Sequence, residues 1–493
     1  MGIGQHGGGA ASARYCAEHG GIVTCTDTAT EAQLSTALDQ LSDLPIRFVL
    51  GRHDESDFRN ADIVVKNPAV PRSSPFLAMA SRIETDVSLF LRTYHGPVLA
   101  VTGTKGKSST VSALHYVLKG DYPGARLGGN ITVSPLSFVD SLASDDPVVL
   151  ELSSFQLGDL LLTSWPEDVR TGRAHPFRVV AITNIFRDHQ NYYHSMDAYI
   201  DDKRVIYQHL NASSHAVFNL SQESGRSFVA DCQATVHGFC PFPQSHSVRR
   251  DSSEVGSGTL AVSDAAGAVS GEGCSAELEF VDGEGMWHAQ SGTEALVPAH
   301  IRMPGLHLRS NALVAAAMAR LFGLGVGLVR RRIAEFPGSE HRLEDCGTLD
   351  GVRVINDTAA TIPDAVLQAV RSFDVPVYLI AGGTDKELDF GPFSDVAAEV
   401  AHVSLLAGNA SSPIAGVLKA GGASVTGPFG SLSDAIEDAL EHAVPGSVLL
   451  LSPGCASFGM FDNEFHRGRE FKAEVLRLQS ESDSLRDRPP DRP

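Results

Sequence analysis

A glycine-rich turn at residues 103–109, with the sequence GTKGKSS, has the clearest chemical signature in the chain. It follows a short apolar stretch, residues 98–101, and precedes a stretch with helical composition, residues 111–118. In a strand–turn–helix unit of this kind, backbone amides surround phosphate oxygens, a lysine supplies charge and a hydroxyl binds Mg²⁺. The glycines are more closely spaced than in the general phosphate-binding loop, and a plain glycine- and serine-containing turn is the alternative. The position of Lys107 and Ser108 favours polyphosphate binding.

Three further side chains could serve the same chemistry. Glu151 lies at the end of a buried apolar strand, residues 148–152, and His189 follows the next predicted strand, residues 178–183. Ligands of open α/β sheets bind at the carboxyl ends of the strands, where a carboxylate can hold a hard divalent cation. Lys203 lies in a predicted helix, residues 197–208. The alternatives are a helix cap for Glu151, a structural role for His189 and a surface position for Lys203.

The elements that would position these side chains alternate between strands and helices, which indicates an α/β protein with open, mostly parallel sheets. The chain of 493 residues is long enough for about three domains. The placement of the motifs along the chain predicts boundaries near residues 92 and 303. Composition adds two further expectations. It predicts a β-rich insertion at about 222–300 and a disordered tail at 478–493, rich in charge and proline.

The N-terminal segment opens on G-x-G-x-x-G at residues 2–7, and a β-branched strand at 22–26 ends at Asp27. This pattern is typical of dinucleotide-binding folds, where an acidic residue meets a ribose or base. It therefore leaves a nicotinamide-dependent oxidoreductase as an alternative function. However, the strand that should precede the glycines is absent, because the chain begins on them. For Asp27, an ordinary strand-end turn is the alternative.

Composition narrows the class of protein. The formal net charge is −20, which argues against nonspecific binding to nucleic acid or anionic lipid. Seven dispersed cysteines without a C-x-x-C pair indicate reduced thiols. No uninterrupted apolar stretch is long enough for a membrane span, and no signal peptide is recognisable. We therefore expect a cytoplasmic protein.

Taken together, the motifs resemble those of the Mur ligase family over about residues 1–475. The resemblance rests on residues 103–109, on ELSSFQL from Glu151 and on TNIFRDH before Lys203. It continues at residues 305–311, 341–342, 356–357, 382–386 and 452–458. It implies three domains: residues 1–92 bind a uridine nucleotide in a Rossmann-like fold, 93–302 form a P-loop ATPase-like domain, and 303–477 form a Rossmann-like domain for ATP and glutamate.

The family resemblance also implies an activity. ATP would phosphorylate the carboxylate of UDP-N-acetylmuramoyl-L-alanine, and the amine of glutamate would attack the acyl phosphate, in peptidoglycan precursor synthesis. We expect a monomer that needs ATP and Mg²⁺. The implied metal ligands are Ser108, Glu151, His189 and Lys203, the last as a carbamate, which converts a cation into an oxygen ligand. Lys107, Lys203 and His189 are the implied catalytic residues.

The resemblance assigns binding residues as well. For ATP they are Gly103, Thr104, Lys105, Gly106, Lys107, Ser108, Ser109, Asn311, Arg342 and Asp357. For UDP-N-acetylmuramoyl-L-alanine they are Asp27 and Asn130, and for glutamate they are Thr361, Lys386 and Ser457.

The chain departs from the family pattern mainly at positions that would contact the amino-acid substrate. Ala359 replaces a lysine that D-glutamate ligases usually carry, which leaves Lys386 as the main candidate partner for the glutamate side chain. A related branch of the family adds L-glutamate and also lacks that lysine, so L-glutamate remains an alternative substrate. Glu464 stands where an aromatic or other backbone-contact residue is common, and Leu308 replaces the first asparagine of the usual H-N-x-x-N.

Overall fold

The computed structural model describes residues 1–4, 7–131, 133–172, 177–189, 192–240, 274–386, 388–457 and 459–486. The chain divides into two compact units. The first contains Met1–His300 and Ser310–Ala334, and the second contains Ile301–Arg309 and Glu335–Pro493. The boundary predicted near residue 92 lies inside the first unit, so the three-domain division stays a prediction. Among the described helices, none combines the length and the apolar character needed to cross a bilayer.

The first unit begins with two small parallel strand pairs, β1 with β2 and β3 with β4. Among the described residues no strand precedes α1. Instead the Met1 amino group donates to the Val65 carbonyl at 2.9 Å, and the Gly2 amide donates to the Thr26 carbonyl at 2.9 Å. The elements are α1 (Gly8–Glu18), β1 (Thr24–Asp27), α2 (Glu31–Asp39), β2 (Arg47–Leu50), α3 (Glu55–Asn60), β3 (Val64–Val65), β4 (Ile83–Glu84) and α4 (Asp86–Thr93).

A nine-stranded sheet forms the centre of the first unit, in the order β13-β12-β11-β10-β9-β8-β5-β7-β6. Its elements are β5 (Val98–Thr102), α5 (Lys107–Leu118), β6 (Arg126–Gly129), β7 (Val148–Glu151), α6 (Ser154–Leu160), α7 (Trp165–Arg170), β8 (Val179–Ile182), α8 (Met196–Gln208), β9 (His215–Asn219), α9 (Glu223–Asp231), β10 (Thr235–Phe239), β11 (Cys274–Val281), β12 (Glu284–Ala289), β13 (Gly292–Val297), α10 (Leu306–Phe322) and α11 (Val326–Glu335). The strands from β5 to β11 pair in parallel, as the α/β pattern predicts.

The segment predicted as a β-rich insertion has two parts. α9 and β10 continue the main α/β pattern, because β10 pairs in parallel with β9. Only β11, β12 and β13 form the expected antiparallel hairpins, and β11 joins them to the sheet through β10. Residues 241–273 lie outside the described part of the chain. The hairpins therefore extend the edge of the central sheet.

The second unit contains a six-stranded sheet in the order β14-β15-β19-β16-β17-β18, parallel except for β14 with β15. Its elements are β14 (Glu344–Leu349), β15 (Val352–Asn356), α12 (Pro363–Val370), β16 (Val377–Gly382), α13 (Phe393–Glu399), β17 (His402–Leu406), α14 (Ser411–Ala420), β18 (Val425–Phe429), α15 (Leu432–His442), β19 (Val448–Leu451) and α16 (Glu464–Arg486). α16 is helical through the first part of the tail predicted as disordered, and residues 487–493 lie outside the described residues.

The strands at the centre of each sheet are buried on both faces, which explains their continuous apolar sequences. β5 and β8 are buried along their whole length, and so is β16 of the second unit. Burial of apolar surface on this scale is the main force that stabilises the two sheets. Because β7, β5 and β8 are neighbours and parallel, their carboxyl ends meet at one edge of the sheet.

Candidate active site

The glycine-rich turn joins β5 to α5 and bends sharply at two glycines. Gly103 has φ 142° and Gly106 has φ 84°, values that side chains with a Cβ rarely adopt. A Cβ on Gly103 would lie 2.0 Å from the Thr183 hydroxyl oxygen, so the turn also requires the close approach of β8. The first amides of α5 have no acceptor within the helix and can bind an anion.

The end of β8 holds this turn in place. The amides of Thr104 and Lys105 donate to the backbone and side-chain oxygens of Asn184, both at 2.8 Å. The Thr183 hydroxyl donates to the Lys105 carbonyl at 2.7 Å. These two amides are therefore satisfied within the protein, and Asn184 is a positioning residue that the motif alone did not reveal.

Lys107, the first residue of α5, folds back over the turn. Its ammonium donates to the carbonyls of Gly103 at 3.0 Å and Thr104 at 2.9 Å. Ser108 is half-buried in the same helical turn, and Ser109 is buried. A cation and a hydroxyl thus stand at the amino end of a helix, which is the arrangement that polyphosphate binding needs.

Glu151 ends β7 beside this turn, and only 2% of it is exposed. One carboxylate oxygen accepts a hydrogen bond from the Asn130 side chain at 3.0 Å. The other, Oε2, is buried and has no hydrogen-bond partner among the described residues. A capping box of Ser153 and Gln156 begins α6, so Glu151 is not the cap of that helix. A buried carboxyl oxygen left without a hydrogen-bond partner fits the binding of a cation.

Lys203 is buried rather than on the surface, with 1% exposed. Its amine donates to the Gly103 carbonyl at 2.9 Å, which places it beneath the glycine-rich turn. Burial, and then the charge of Lys107, hold the pKa of Lys203 well below its ordinary value. The side chain therefore tends toward the neutral amine.

His189 lies near the same edge but is more open to solvent. It adopts a left-handed φ of 53°, and its ring packs edge-on against Phe155 with centroids 4.9 Å apart. Partial burial lowers the pKa of His189, and the lysines Lys203, Lys107 and Lys105 add to that effect. A neutral imidazole is the form that binds a metal.

Asn311 from α10 completes this group, with 9% exposed. A Cβ on Gly106 would lie 2.5 Å from the Asn311 side-chain oxygen, so the asparagine lies directly against the glycine-rich turn. Lys107, Ser108, Glu151, Lys203 and Asn311 are thus gathered around one strand edge of the first unit. Their roles in binding nucleotide and metal stay predictions.

Four charged residues that the sequence motifs did not indicate form an ion network with α6 and α8. Lys66 is fully buried and pairs with Asp159 of α6. Arg72 donates to Asp159 at 3.1 Å and to Asp202 at 3.0 Å, and it holds both oxygens of Asp202. The Tyr193 hydroxyl also donates to Asp202, at 2.7 Å. Asp202 immediately precedes Lys203, so this network fixes the turn of α8 that presents the lysine.

Asp27 at the end of β1 is engaged with its own segment. Its carboxylate accepts from the amides of Ile3 at 2.7 Å, Gly4 at 3.2 Å and Ala29 at 2.9 Å. The acidic residue therefore orders the glycine turn that opens the chain. Its predicted contact with a uridine nucleotide stays a prediction.

In the second unit, Arg342 and Asp357 lie close together. Arg342 is exposed on a turn, and the amide of the next residue, Leu343, donates to Asp357 at 3.1 Å. The other Asp357 oxygen accepts from Ser452 at 2.9 Å. Burial raises the pKa of Asp357 to about 7, and the charge of Arg342 opposes the shift.

The three residues predicted to bind glutamate lie on three loops of the second unit, at the carboxyl ends of β15, β16 and β19. The loops are hydrogen-bonded to one another. The Thr384 amide donates to the Ala456 carbonyl at 2.9 Å, and the Gly454 amide donates to the Ala360 carbonyl at 2.9 Å. Lys386 is exposed and Thr361 is half-buried. Ser457 is buried, and its hydroxyl has no partner among the described residues.

Comparison with known proteins identifies the arrangement. A family model described as the Mur ligase middle domain matches residues 101–319, and one described as the Mur ligase, glutamate ligase domain matches residues 341–455. A UDP-N-acetylmuramoylalanine--D-glutamate ligase of Roseiflexus sp. (strain RS-1) is 39% identical over 96% of this chain and 97% of its own length. The chain belongs to the Mur ligase family. It is therefore an ATP-dependent amino-acid ligase, and this favours the ligase over the oxidoreductase alternative.

Other relatives of this Mur ligase carry the same name. Those of Borreliella burgdorferi (strain ATCC 35210 / DSM 4680 / CIP 102532 / B31) and Treponema pallidum (strain Nichols) are 37% and 35% identical, over 97% and 96% of this chain and the same shares of their own lengths. Among solved structures, MurF from Acinetobacter baumannii has a TM-score of 0.56 at 15% identity, covering 86% of this chain and 93% of its own. UDP-N-acetylmuramate-alanine ligase MurC from Thermotoga maritima has a TM-score of 0.55 at 19% identity, covering 97% and 98%. At such identities the structures establish the fold.

Proposed function

We propose that this Mur ligase joins D-glutamate to UDP-N-acetylmuramoyl-L-alanine with ATP, in peptidoglycan precursor synthesis. The observation that carries the proposal is the 39% identity to a D-glutamate ligase over 96% of the chain. The phosphate-binding turn and the side chains gathered around it supply parts that such a reaction needs.

The reaction proceeds in two steps. An oxygen of the alanyl carboxylate attacks the γ-phosphorus of ATP, ADP leaves, and an acyl phosphate forms. The amine of glutamate then attacks the acyl carbon, inorganic phosphate leaves, and the amine loses a proton as the amide forms. Lys107 and the first amides of α5 neutralise and orient the transferred phosphoryl group, because such transfers depend mainly on position and charge.

The oxygen ligands around the turn fit Mg²⁺. Glu151 offers a buried, unpartnered oxygen, and Ser108 offers a hydroxyl at the amino end of α5. Mg²⁺ prefers oxygen ligands and usually binds one or two carboxylates together with substrate phosphates. When bound, it would neutralise charge on the phosphates, and Glu151, Ser108, His189 and Lys203 are the residues we assign to hold it.

Lys203 would serve this site as a carbamate. Its neutral amine can add to the carbon of CO₂, with loss of one proton, to give a carboxylate on the lysine nitrogen. Burial of the side chain and a pKa far below the ordinary value favour the neutral amine that this addition needs. The resulting oxygens are the ligand type that Mg²⁺ accepts, whereas an ammonium group would repel it.

The enantiomer of glutamate is tested separately, because Ala359 lacks the cation that D-glutamate ligases usually carry. The relatives that are named after D-glutamate favour this enantiomer, and L-glutamate is the alternative. Phosphate release with ATP, Mg²⁺ and UDP-N-acetylmuramoyl-L-alanine should appear on adding D-glutamate and stay at background with L-glutamate. Phosphate release with L-glutamate and not with D-glutamate would show that L-glutamate is the substrate. No phosphate release with either enantiomer would contradict the proposed reaction.

We further infer that the enzyme works in the cytoplasm as a monomer, without nucleic acid or membrane as partners. The net charge of −20 disfavours binding to nucleic acid and to anionic membrane surfaces. Size-exclusion chromatography with light scattering tests the monomer directly, and a mass twice that of the chain would contradict it.

A further inference from the structure

Buried cations in the described residues behave in three different ways. The lysine and arginine residues with almost no exposure are Lys66, Lys203 and Arg467, each 1% exposed. Lys66 pairs with a carboxylate, Asp159. Lys203 has a pKa shifted toward the neutral amine. Arg467 differs from both lysines, because it has no ion pair and does not become neutral.

The guanidinium of Arg467 is bonded only to uncharged oxygens in the described part of the second unit. It donates to the Thr358 hydroxyl at 2.8 Å, to the Thr358 carbonyl at 3.0 Å and to the Cys455 carbonyl at 3.4 Å. No carboxylate of the described residues lies within the 4.0 Å of an ion pair. The charge of Glu464 acts on the guanidinium only through space, so Arg467 is hydrogen-bonded but not in an ion pair.

An arginine cannot lose its charge under ordinary conditions. Burial lowers the pKa of Arg467 to about 10, which still leaves the guanidinium protonated at neutral pH. A buried charge without a counter-charge costs free energy, and an anion that arrives beside it recovers part of that cost. The positive charge of Arg467 would therefore stabilise an anionic ligand that binds nearby.

The position of Arg467 indicates which ligand this is. It bonds to Thr358, three residues before Thr361, and to Cys455, two residues before Ser457. A Cβ on Gly383 would lie 3.6 Å from its guanidinium, on the loop that leads to Lys386. One side chain thus forms hydrogen bonds to two of the loops that carry the predicted glutamate contacts and lies near the third. The unpartnered buried hydroxyl of Ser457 is a second polar group prepared for a ligand there.

We propose that Arg467 is a positioning residue of the amino-acid site, which fixes the three loops and supplies from beneath them the positive charge that Ala359 does not supply. This inference rests on the proposed ligation of glutamate. Arg467 does not itself touch the substrate. Its charge favours an amino acid with an anionic side chain, and its hydrogen bonds hold the loops that contact the amino acid.

The test compares two amino acids that differ in side-chain charge. Purified full-length wild type, Arg467→Met and Arg467→Lys are assayed for phosphate release with ATP, Mg²⁺ and UDP-N-acetylmuramoyl-L-alanine. D-glutamate and D-glutamine are the variable substrates, or the L-enantiomers if the wild type uses those. The readout is the ratio of kcat/KM for glutamate to kcat/KM for glutamine. Arg371→Met is the matched control, because Arg371 is an exposed arginine of the same unit, paired with Glu399.

In Arg467→Met the ratio should fall by at least about tenfold, the equivalent of about 1.4 kcal/mol. The KM for ATP should stay close to the wild-type value. Arg467→Lys keeps the charge and should keep the ratio within about threefold, although its activity falls because one ammonium cannot hold all three loops. Arg371→Met should match the wild type in every parameter.

Equal losses for glutamate and glutamine in Arg467→Met would overturn the inference, because a merely structural residue would lower both. A ratio in Arg467→Lys as low as in Arg467→Met would also overturn it. If Arg467→Met fails to fold by circular dichroism, Arg467→Gln replaces it, since the amide retains donors without charge, and the same criteria apply. A wild type without glutamate-dependent phosphate release contradicts the proposed function instead.

Discussion

Replacing Asp357 by Asn should stabilise the second unit at alkaline pH while impairing ATP use. Burial raises the pKa of Asp357 from 3.8 to about 7, so ionisation of this carboxyl is unfavourable in the folded state. The difference between a pKa of 3.8 in the unfolded chain and about 7 in the folded protein corresponds to about 4 kcal/mol for Asp357. Because the folded-state pKa is raised, the penalty is absent below about pH 4, grows as pH rises toward 7 and stays constant above it. The side-chain amide of the Asp357→Asn variant can accept from the Leu343 amide and donate to the Ser452 hydroxyl, so no hydrogen bond need be lost.

The assay must report on the second unit alone. Trp165 and Trp287 both lie in the first unit, so tryptophan fluorescence does not serve. Cys455 of the second unit is fully buried and can react with an alkylating reagent only when its surroundings open. Pulses of alkylation along a urea series, read by mass spectrometry at pH 5 and pH 8, give the stability of that unit in each variant.

The expected result is a difference between Asp357→Asn and wild type that grows from about 2 kcal/mol at pH 5 to about 4 kcal/mol at pH 8. Asp374→Asn is the control, because it removes the same charge from an exposed position of the same unit. A difference that does not change with pH, or an equal change in Asp374→Asn, would refute the reasoning. Asp357→Asn should also raise the KM for ATP, and an unchanged KM would remove Asp357 from the nucleotide site.

Four other substitutions test the first unit. Lys107→Ala should lower kcat at least about 100-fold without loss of circular dichroism signal, and near-normal turnover would contradict its place at the phosphates. Lys203→Ala should be inactive but partly restored by millimolar acetate or formate; a lack of rescue with normal Mg²⁺ dependence would contradict the carbamate. Glu151→Gln should raise the Mg²⁺ concentration for half-maximal activity about tenfold, and an unchanged Mg²⁺ titration would leave Glu151 without a metal role. Arg72→Met should destabilise the first unit by about 3 kcal/mol in urea unfolding followed by tryptophan fluorescence, because Asp202 loses its cation, and a loss below about 1 kcal/mol would show that the ion pair contributes little.

The strands and the phosphate-binding turn could be predicted because their signals are local. Apolar runs predicted β5, β7 and β8, and the structure confirms each of them. Since parallel strands present their carboxyl ends at one edge, the sequence order also placed Glu151 beside Lys107. Helical composition predicted that Lys203 lies in α8. It did not predict that Lys203 is buried, because a lysine in a helix is ordinarily exposed.

Features that depend on distant pairing could not be predicted. Arg72 and Asp202 are 130 residues apart in the chain, and no local pattern joins them. Arg467 lies in a charged helix segment where a surface position is the ordinary expectation, and only the three-dimensional structure shows it beneath three loops. The tail was predicted as disordered from its charge and proline content, yet α16 extends through the first part of it to Arg486.

The ion network of Lys66, Arg72, Asp159 and Asp202 has a consequence for exchanging parts between related ligases. Its two cations come from the N-terminal segment and its two acids from α6 and α8. A chimera that takes residues 1–92 from a ligase with an uncharged residue at position 72 would therefore leave Asp202 buried without its cation. Segment swaps at this boundary should succeed only when the acidic positions are exchanged together with the basic ones.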